Sequence, residues 1–204
     1  MTNEHYFSPQ PSSASQPYVI TVALPEGTLK LTTDRGVFSY GALDTGTRLL
    51  LLKAPAPSAT GNLLDLGCGA GAIAISMAKR SPDAVVWAVD VNERAVALTR
   101  QNAEANNVSN VHACLPDDIP ADVVFDTIWS NPPIHIGKGP LHDLLLRWLP
   151  RLSPTGHVTM VVQKHLGSDS LQTWLTNQGY PTERMASAKG FRLLSTTRAT
   201  PNPS

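Results

Sequence analysis

The sequence predicts an α/β fold: a doubly wound, mostly parallel sheet with an antiparallel last strand, preceded by an N-terminal β-hairpin. Three observations predict it. From Asn62 onward, short apolar runs of strand length alternate with helix-length amphipathic stretches, the order that covers a parallel sheet on both faces. The first strand of that series breaks into the glycine-rich turn Asp65-Leu-Gly-Cys-Gly-Ala-Gly71 just before a helix. Near the C-terminus, Lys189-Gly190 joins two strand patterns at hairpin distance, so the last strand runs back along its neighbour. The 204 residues, 42% hydrophobic and 16% charged, suffice for one domain that needs no disulfide or metal staple.

Each element has its own signal. Residues 1–17 hold three prolines and four serines and are expected to form a flexible polar tail. Residues 18–204 form a single domain, divided into a hairpin and lead-in over 18–58 and a core over 61–198. Tyr18–Leu24 and Thr28–Thr32 read as strands joined by Pro25-Glu-Gly27. A Gly/Leu/Thr-rich segment, Gly36 to Leu52, leads into the proline linker Ala54–Ser58. Leu63–Leu66 is a short buried strand, Gly71–Arg80 a helix and Ala84–Asp90 a strand. Asn92 caps a helix over Glu93–Asn106. Strands Asn110–Cys114 and Phe125–Ser130, a helix over Leu141–Leu152, a strand His157–Val162 and a helix Asp169–Asn177 ended by Gly179 follow. Strands Glu183–Ala188 and Phe191–Thr197 close the chain.

Composition excludes several classes. The longest aliphatic run, Leu49–Leu52, is far below the ~20 residues of a membrane span, so no membrane partner is expected. The first twenty residues have no basic start before an apolar stretch, and the two cysteines, Cys68 and Cys114, lack metal or disulfide-scaffold spacing, so cytoplasm is the expected compartment. His142, His157 and His165 have no carboxylate or cysteine partner at ligand spacing, so no metal is expected. Sixteen basic residues balance sixteen acidic ones. The balance is uneven along the chain: residues 1–126 carry 8 basic and 13 acidic groups, residues 127–204 carry 8 and 3. A polyanion would therefore meet the C-terminal part, where Lys138, Arg147, Arg151, Lys164, Lys189 and Arg192 lie.

The chemistry is concentrated at three strand ends. Gly67, Gly69 and Gly71 let the backbone turn tightly and bring amides close to a ligand. The same spacing, read with Ala72, fits a dinucleotide fingerprint, so the loop alone does not separate nicotinamide from S-adenosylmethionine. Asp90, 19 residues past Gly71, ends the next strand, where a carboxylate can accept both ribose hydroxyls of an adenosine. Asp65 favours S-adenosylmethionine, whose ammonium an acid can neutralise. Ser130-Asn-Pro-Pro133 follows the fourth strand of the series, and His135 comes two residues later. Pro132 and Pro133 stiffen a loop holding two acceptors, the Asn131 amide oxygen and the Pro132 carbonyl. Two such acceptors bind both hydrogens of a planar NH2 group, direct its lone pair toward a methyl donor and spread the developing positive charge. His135 is a candidate proton acceptor; Cys68 has no visible activating neighbour.

The ordered set DLGCGAG (65–71), VDVN (89–92) and SNPPIH (130–135) resembles the class I amino-methyltransferases, and within them the guanine-N2 methyltransferases of small-subunit ribosomal RNA. Asp34–Ser39, Leu43–Thr47 and Lys189-Gly-Phe-Arg192 are similar to that family's lead-in and final hairpin, so the likeness covers roughly residues 28–198. It implies a seven-stranded Rossmann-like sheet and S-adenosylmethionine as cofactor, with Asp65, Gly67, Cys68, Gly69, Gly71, Asp90 and Val91 as its contacts. Asp117, after the third strand, is where this fold often meets adenine. By the same resemblance Asn131, Pro132 and Pro133 hold the target amine, Asn131 beside the cofactor, and Phe38 and Asp44 border cofactor or base. Family members carry a stacking aromatic after NPP; here Ile134 stands in its place, which leaves Phe38 or Phe191 for that task, with Arg192 beside it. The implied partner is ribosomal RNA or the small ribosomal subunit. The competing functions are methylation of a protein glutamine amide, a non-catalytic RNA-binding module on the same fold, and a nicotinamide oxidoreductase in which NPP would have no task.

Overall fold

The computed structural model describes residues 13–198. Nine strands and five α-helices are formed among them: β1 (Tyr18–Leu24), β2 (Gly27–Thr33), α1 (Thr45–Lys53), β3 (Thr60–Leu66), α2 (Ala72–Arg80), β4 (Asp83–Val89), α3 (Glu93–Ala105), β5 (Val111–Cys114), β6 (Phe125–Ser130), α4 (Lys138–Trp148), β7 (Leu152–Gln163), α5 (Ser168–Asn177), β8 (Thr182–Ala188) and β9 (Phe191–Thr197). Seven strands make one sheet in the order β5-β4-β3-β6-β7-β9-β8. The first five are parallel, and β9 enters antiparallel between β7 and β8. The expected Rossmann-like fold is therefore present, including the antiparallel last strand and the separate β1–β2 hairpin.

The apolar pattern explains the layers. Leu63, Val86, Trp129, Val161 and Leu193 pack with α1 and α2 on one face of the sheet. Leu64, Ile128, Val158 and Leu194 pack with Leu141, Leu145, Leu171 and Leu175 of α4 and α5 on the other. Strand order reverses between β3 and β6, so the chain leaves these two neighbours in opposite directions and opens a crevice at their C-terminal ends. That crevice receives the glycine turn, Asp90 and Asn131.

The hairpin is bound to the core by side-chain amides. Asn102 on α3 and Asn106, which caps its C-terminus, lie one helical turn apart, a spacing of ~6 Å that matches two residues along a strand. Asn102 accepts from Thr32 N at 2.8 Å and donates to Thr32 O at 2.8 Å; Asn106 does the same with Lys30 at 3.1 and 2.8 Å. The two amides thus satisfy the open edge of β2 as a further strand would. Asn102 also donates to Ala70 O at 2.9 Å, which ties the hairpin to the glycine turn.

Two departures from the sequence expectation stand out. The Gly/Leu/Thr-rich segment contains helix α1, started by Asp44, whose carboxylate accepts from Thr47 N at 2.9 Å. Helix α4 begins at Lys138, three residues before the expected Leu141. Gly137, at φ +97°, turns the chain into it, and Pro140 is tolerated because first-turn N–H groups have no helical partner. Of the expected tail, residues 1–12 lie outside the described residues. Ser15 and the Gln16 amide donate to the buried Asp34 at 2.6 and 2.5 Å. No helix among the described residues is long and apolar enough to cross a membrane.

Candidate active site

A cleft open to solvent lies over the C-terminal end of β3. Gly67, Cys68, Gly69, Phe38, Thr47 and Asn131 all line it. Its floor is the glycine turn, with Gly67, Gly69 and Gly71 at φ +82°, +53° and +85°. The three glycines serve different ends. A Cβ on Gly67 would meet nothing within 4 Å, and one on Gly69 would meet only Phe38, at 3.8 Å. A Cβ on Gly71 would collide with Thr99, 2.9 Å away. The first two therefore leave room for a ligand, and the third allows the turn to pack on α3. The Gly67 and Cys68 N–H groups donate to Val89 O at 2.8 and 2.9 Å, which holds the turn against β4.

Two carboxylates stand beside this turn. Asp90 accepts from Gly69 N at 2.9 Å through one oxygen and from Asn92 N at 3.0 Å through the other. Burial pushes its carboxyl above the ordinary range, against the opposing pull of the Asn92, Gly69 and Val91 N–H groups. Val91 is 38% exposed at the same strand end. Asp65 is wholly buried. One oxygen accepts from Ala74 N at 2.9 Å and the other has no hydrogen-bond partner. Burial, reinforced by the charge of Asp90 and opposed by the Ala74 N–H, pushes it up to about 8. Burial, with the same two acids, also drives the Cys68 thiol well above its usual range, so it is a packing residue and no nucleophile. An orphaned buried acid, a backbone floor without side chains and a second acid at the next strand end fit an adenosyl amino acid cofactor.

Asn131 faces this floor from the end of β6. Its Nδ2 donates to Asp44 Oδ2 at 2.8 Å and to Thr47 Oγ1 at 3.0 Å. No described residue donates to its Oδ1. Pro133, at φ −74° and ψ 75°, is the centre of an inverse γ-turn in which Ile134 N donates to Pro132 O at 2.9 Å. One lone pair of that carbonyl stays free. The ring of Phe191 closes on the first turn of α1: a Cβ on Gly46 would lie 2.8 Å from Phe191 Cε1 and 2.9 Å from Asp44 Oδ2.

Other expected site residues lie apart from this cluster. Asp117 is on the Pro116–Asp118 turn, its side chain 92% exposed and paired with Arg147 at 2.7 Å. Arg192 is buried and ion-paired with Asp169. Ile134 lines a second cleft, with Leu141, Val162 and Leu171, between the starts of α4 and α5. His135 is exposed on the turn after Pro133. Arg151 is spent on the Pro120 and Val123 carbonyls, whereas Lys138, Lys164 and Lys189 are exposed. Gly46 and Thr47 fall inside the Leu43–Thr47 stretch that the resemblance singles out, but sequence reasoning assigns neither of them a role at the site. Asp44 followed three residues later by Thr47 is an N-cap pattern that would have pointed to both.

Residues 28–195 match the family model described as the methyltransferase small domain. The chain belongs to the methyltransferase small-domain family. Its enzyme class follows from that membership: a class I methyltransferase whose cofactor is S-adenosylmethionine. The Bacillus subtilis protein YbxB is 36% identical over 171 residues, 82% of this chain and 85% of its own length. The ribosomal RNA small subunit methyltransferase C of Photorhabdus laumondii is 40% identical over 141 residues, 64% of this chain but 40% of that protein. The chain thus spans about two fifths of that relative's length. Among solved structures, the Thermus thermophilus 16S rRNA N2 G1207 methyltransferase, in complex with AdoMet and guanosine, superposes with a TM-score of 0.76. It is 22% identical, and the match covers 91% of this chain and 51% of that one.

Proposed function

We propose that this methyltransferase acts on the exocyclic N2 amine of guanine in ribosomal RNA. The observation that carries the reading is the Asn131 carboxamide, which lines the same cleft as the glycine turn with both N–H groups already engaged and its oxygen free. The names of the relatives support the substrate class: one methylates small-subunit ribosomal RNA, and a solved neighbour holds guanosine. A ribosomal substrate carries with it a cytoplasmic site of action.

The cofactor, when bound, supplies an electrophilic sulfonium methyl group. Asn131 Oδ1 and the free lone pair of Pro132 O accept the two hydrogens of the guanine amine and favour a pyramidal nitrogen. These two acceptors would hold the nitrogen with its lone pair toward the methyl group that a cofactor seated on the glycine turn would supply. Both acceptors stabilise the positive charge passing to nitrogen, and the surplus proton leaves to water. Positioning and electrostatics supply the acceleration. Phe38, 41% exposed in the lining of the cleft, offers an aromatic face for a base to stack on, and the exposed Lys138, Lys164 and Lys189 are the cations we assign to phosphate contacts.

The test is label transfer from methyl-labelled S-adenosylmethionine to small-subunit particles, large-subunit particles, deproteinised ribosomal RNA and a release factor, each alone. The reading predicts label in RNA, recovered as N2-methylguanosine after digestion to nucleosides. Label in the release factor alone would replace guanine with a glutamine amide.

A further inference from the structure

We propose that Asp44 and Thr47 are positioning residues that lock the Asn131 carboxamide in one of its two flips, so that oxygen and not nitrogen meets the amine. The inference rests on the transfer reaction proposed above. A carboxamide turned by 180° exchanges an acceptor for a donor in nearly the same place, and a donor there would oppose the substrate NH2. The two prolines restrict the backbone around Asn131, but they do not choose between the flips.

The choice is made by α1. A carboxylate only accepts, so the atom 2.8 Å from Asp44 Oδ2 must be the nitrogen of Asn131. Thr47 Oγ1, 3.0 Å away, takes the second N–H. The reversed flip would set an amide oxygen against a carboxylate oxygen and leave both without a proton between them. Asp44 is itself fixed, because the same Oδ2 caps α1 by accepting from Thr47 N at 2.9 Å. Gly46 has no side chain between them, which brings the Phe191 ring onto this turn and shields it. Charge adds to orientation. A carboxylate behind the NH2 polarises the carboxamide and makes Oδ1 a stronger acceptor as positive charge grows on the substrate nitrogen. The tetrapeptide Asp44-Thr-Gly-Thr47 is thus read as part of the amine site, 84 residues before Asn131 in the chain.

A charge-swap series tests this. Asn131→Asp sets two carboxylates face to face and is expected to lower kcat at least 100-fold. Adding Asp44→Asn removes that repulsion and is expected to recover at least tenfold of that loss. KM for S-adenosylmethionine should stay within threefold throughout. A double variant that is folded yet no faster than Asn131→Asp would overturn the proposal. The lock is also read without turnover from the 15N-labelled carboxamide of Asn131. Its two protons should exchange slowly in the wild type and at least tenfold faster in Thr47→Val; equal exchange in the two would also overturn it. Wild-type protein that methylates no RNA but keeps a slowly exchanging carboxamide refutes the substrate reading and leaves the lock standing.

Discussion

Replacing Asp65 by Asn should change how stability depends on pH. The carboxyl is wholly buried, one of its oxygens has no partner, and burial together with Asp90 raises it from 3.8 to about 8. Between those two values the folded protein keeps a proton that the unfolded chain has released. The stabilisation is therefore fully present below 3.8 and is lost as pH rises toward about 8. Each pH unit inside that window costs about 1.4 kcal/mol, so going from about pH 5 to about pH 7.5 removes roughly 3 kcal/mol. The carboxamide of the Asp65→Asn variant has no such proton to lose and can still accept the hydrogen bond from Ala74 N. His157, which burial holds below its ordinary value, gives a slope of opposite sign, but it is present in both proteins and cancels. Urea unfolding at the two pH values, wild type against Asp65→Asn, should show the variant gaining roughly 3 kcal/mol relative to wild type at the higher pH. A difference between the proteins that stays constant with pH would refute the reasoning.

Two further outcomes are expected. Gly67→Ala places a methyl group in open space and should weaken S-adenosylmethionine more than tenfold with a stability loss of about 1–2 kcal/mol, whereas Gly71→Ala meets Thr99 and should lose clearly more stability in the same denaturation assay. Changing Lys138, Lys164 and Lys189 together to Gln should weaken RNA binding uniformly across sequences and flatten the plot of log affinity against log salt by about 2, near 0.7 per lysine, in a filter-binding titration.

What the sequence reveals follows physical range. The strand–helix alternation after Asn62 is local, and the sheet, its antiparallel closure and the hairpin follow from it. Helix α1 escapes such a reading because Leu49–Leu52 is a continuous apolar run without helical period, and only the Asp44 cap marks its start. At the site, the glycine turn, Asp90 and Asn131 are legible because each sits where a strand ends. Partners far along the chain are not. Nothing near Asn131 points to Thr47, and nothing near Asp117 or Arg192 shows that Arg147 and Asp169 neutralise them. Ile134 is visible as a departure from an aromatic, but its place in a second cleft depends on how α4 and α5 pack.

A methyl-transfer assay on the Asn131→Ala protein goes to the heart of the account. Removing a positioned acceptor worth a few kcal/mol in the transition state should cut turnover at least tenfold while the dissociation constant for S-adenosylmethionine stays within about twofold. Turnover at the wild-type rate, or cofactor binding that weakens as much as turnover falls, would contradict it.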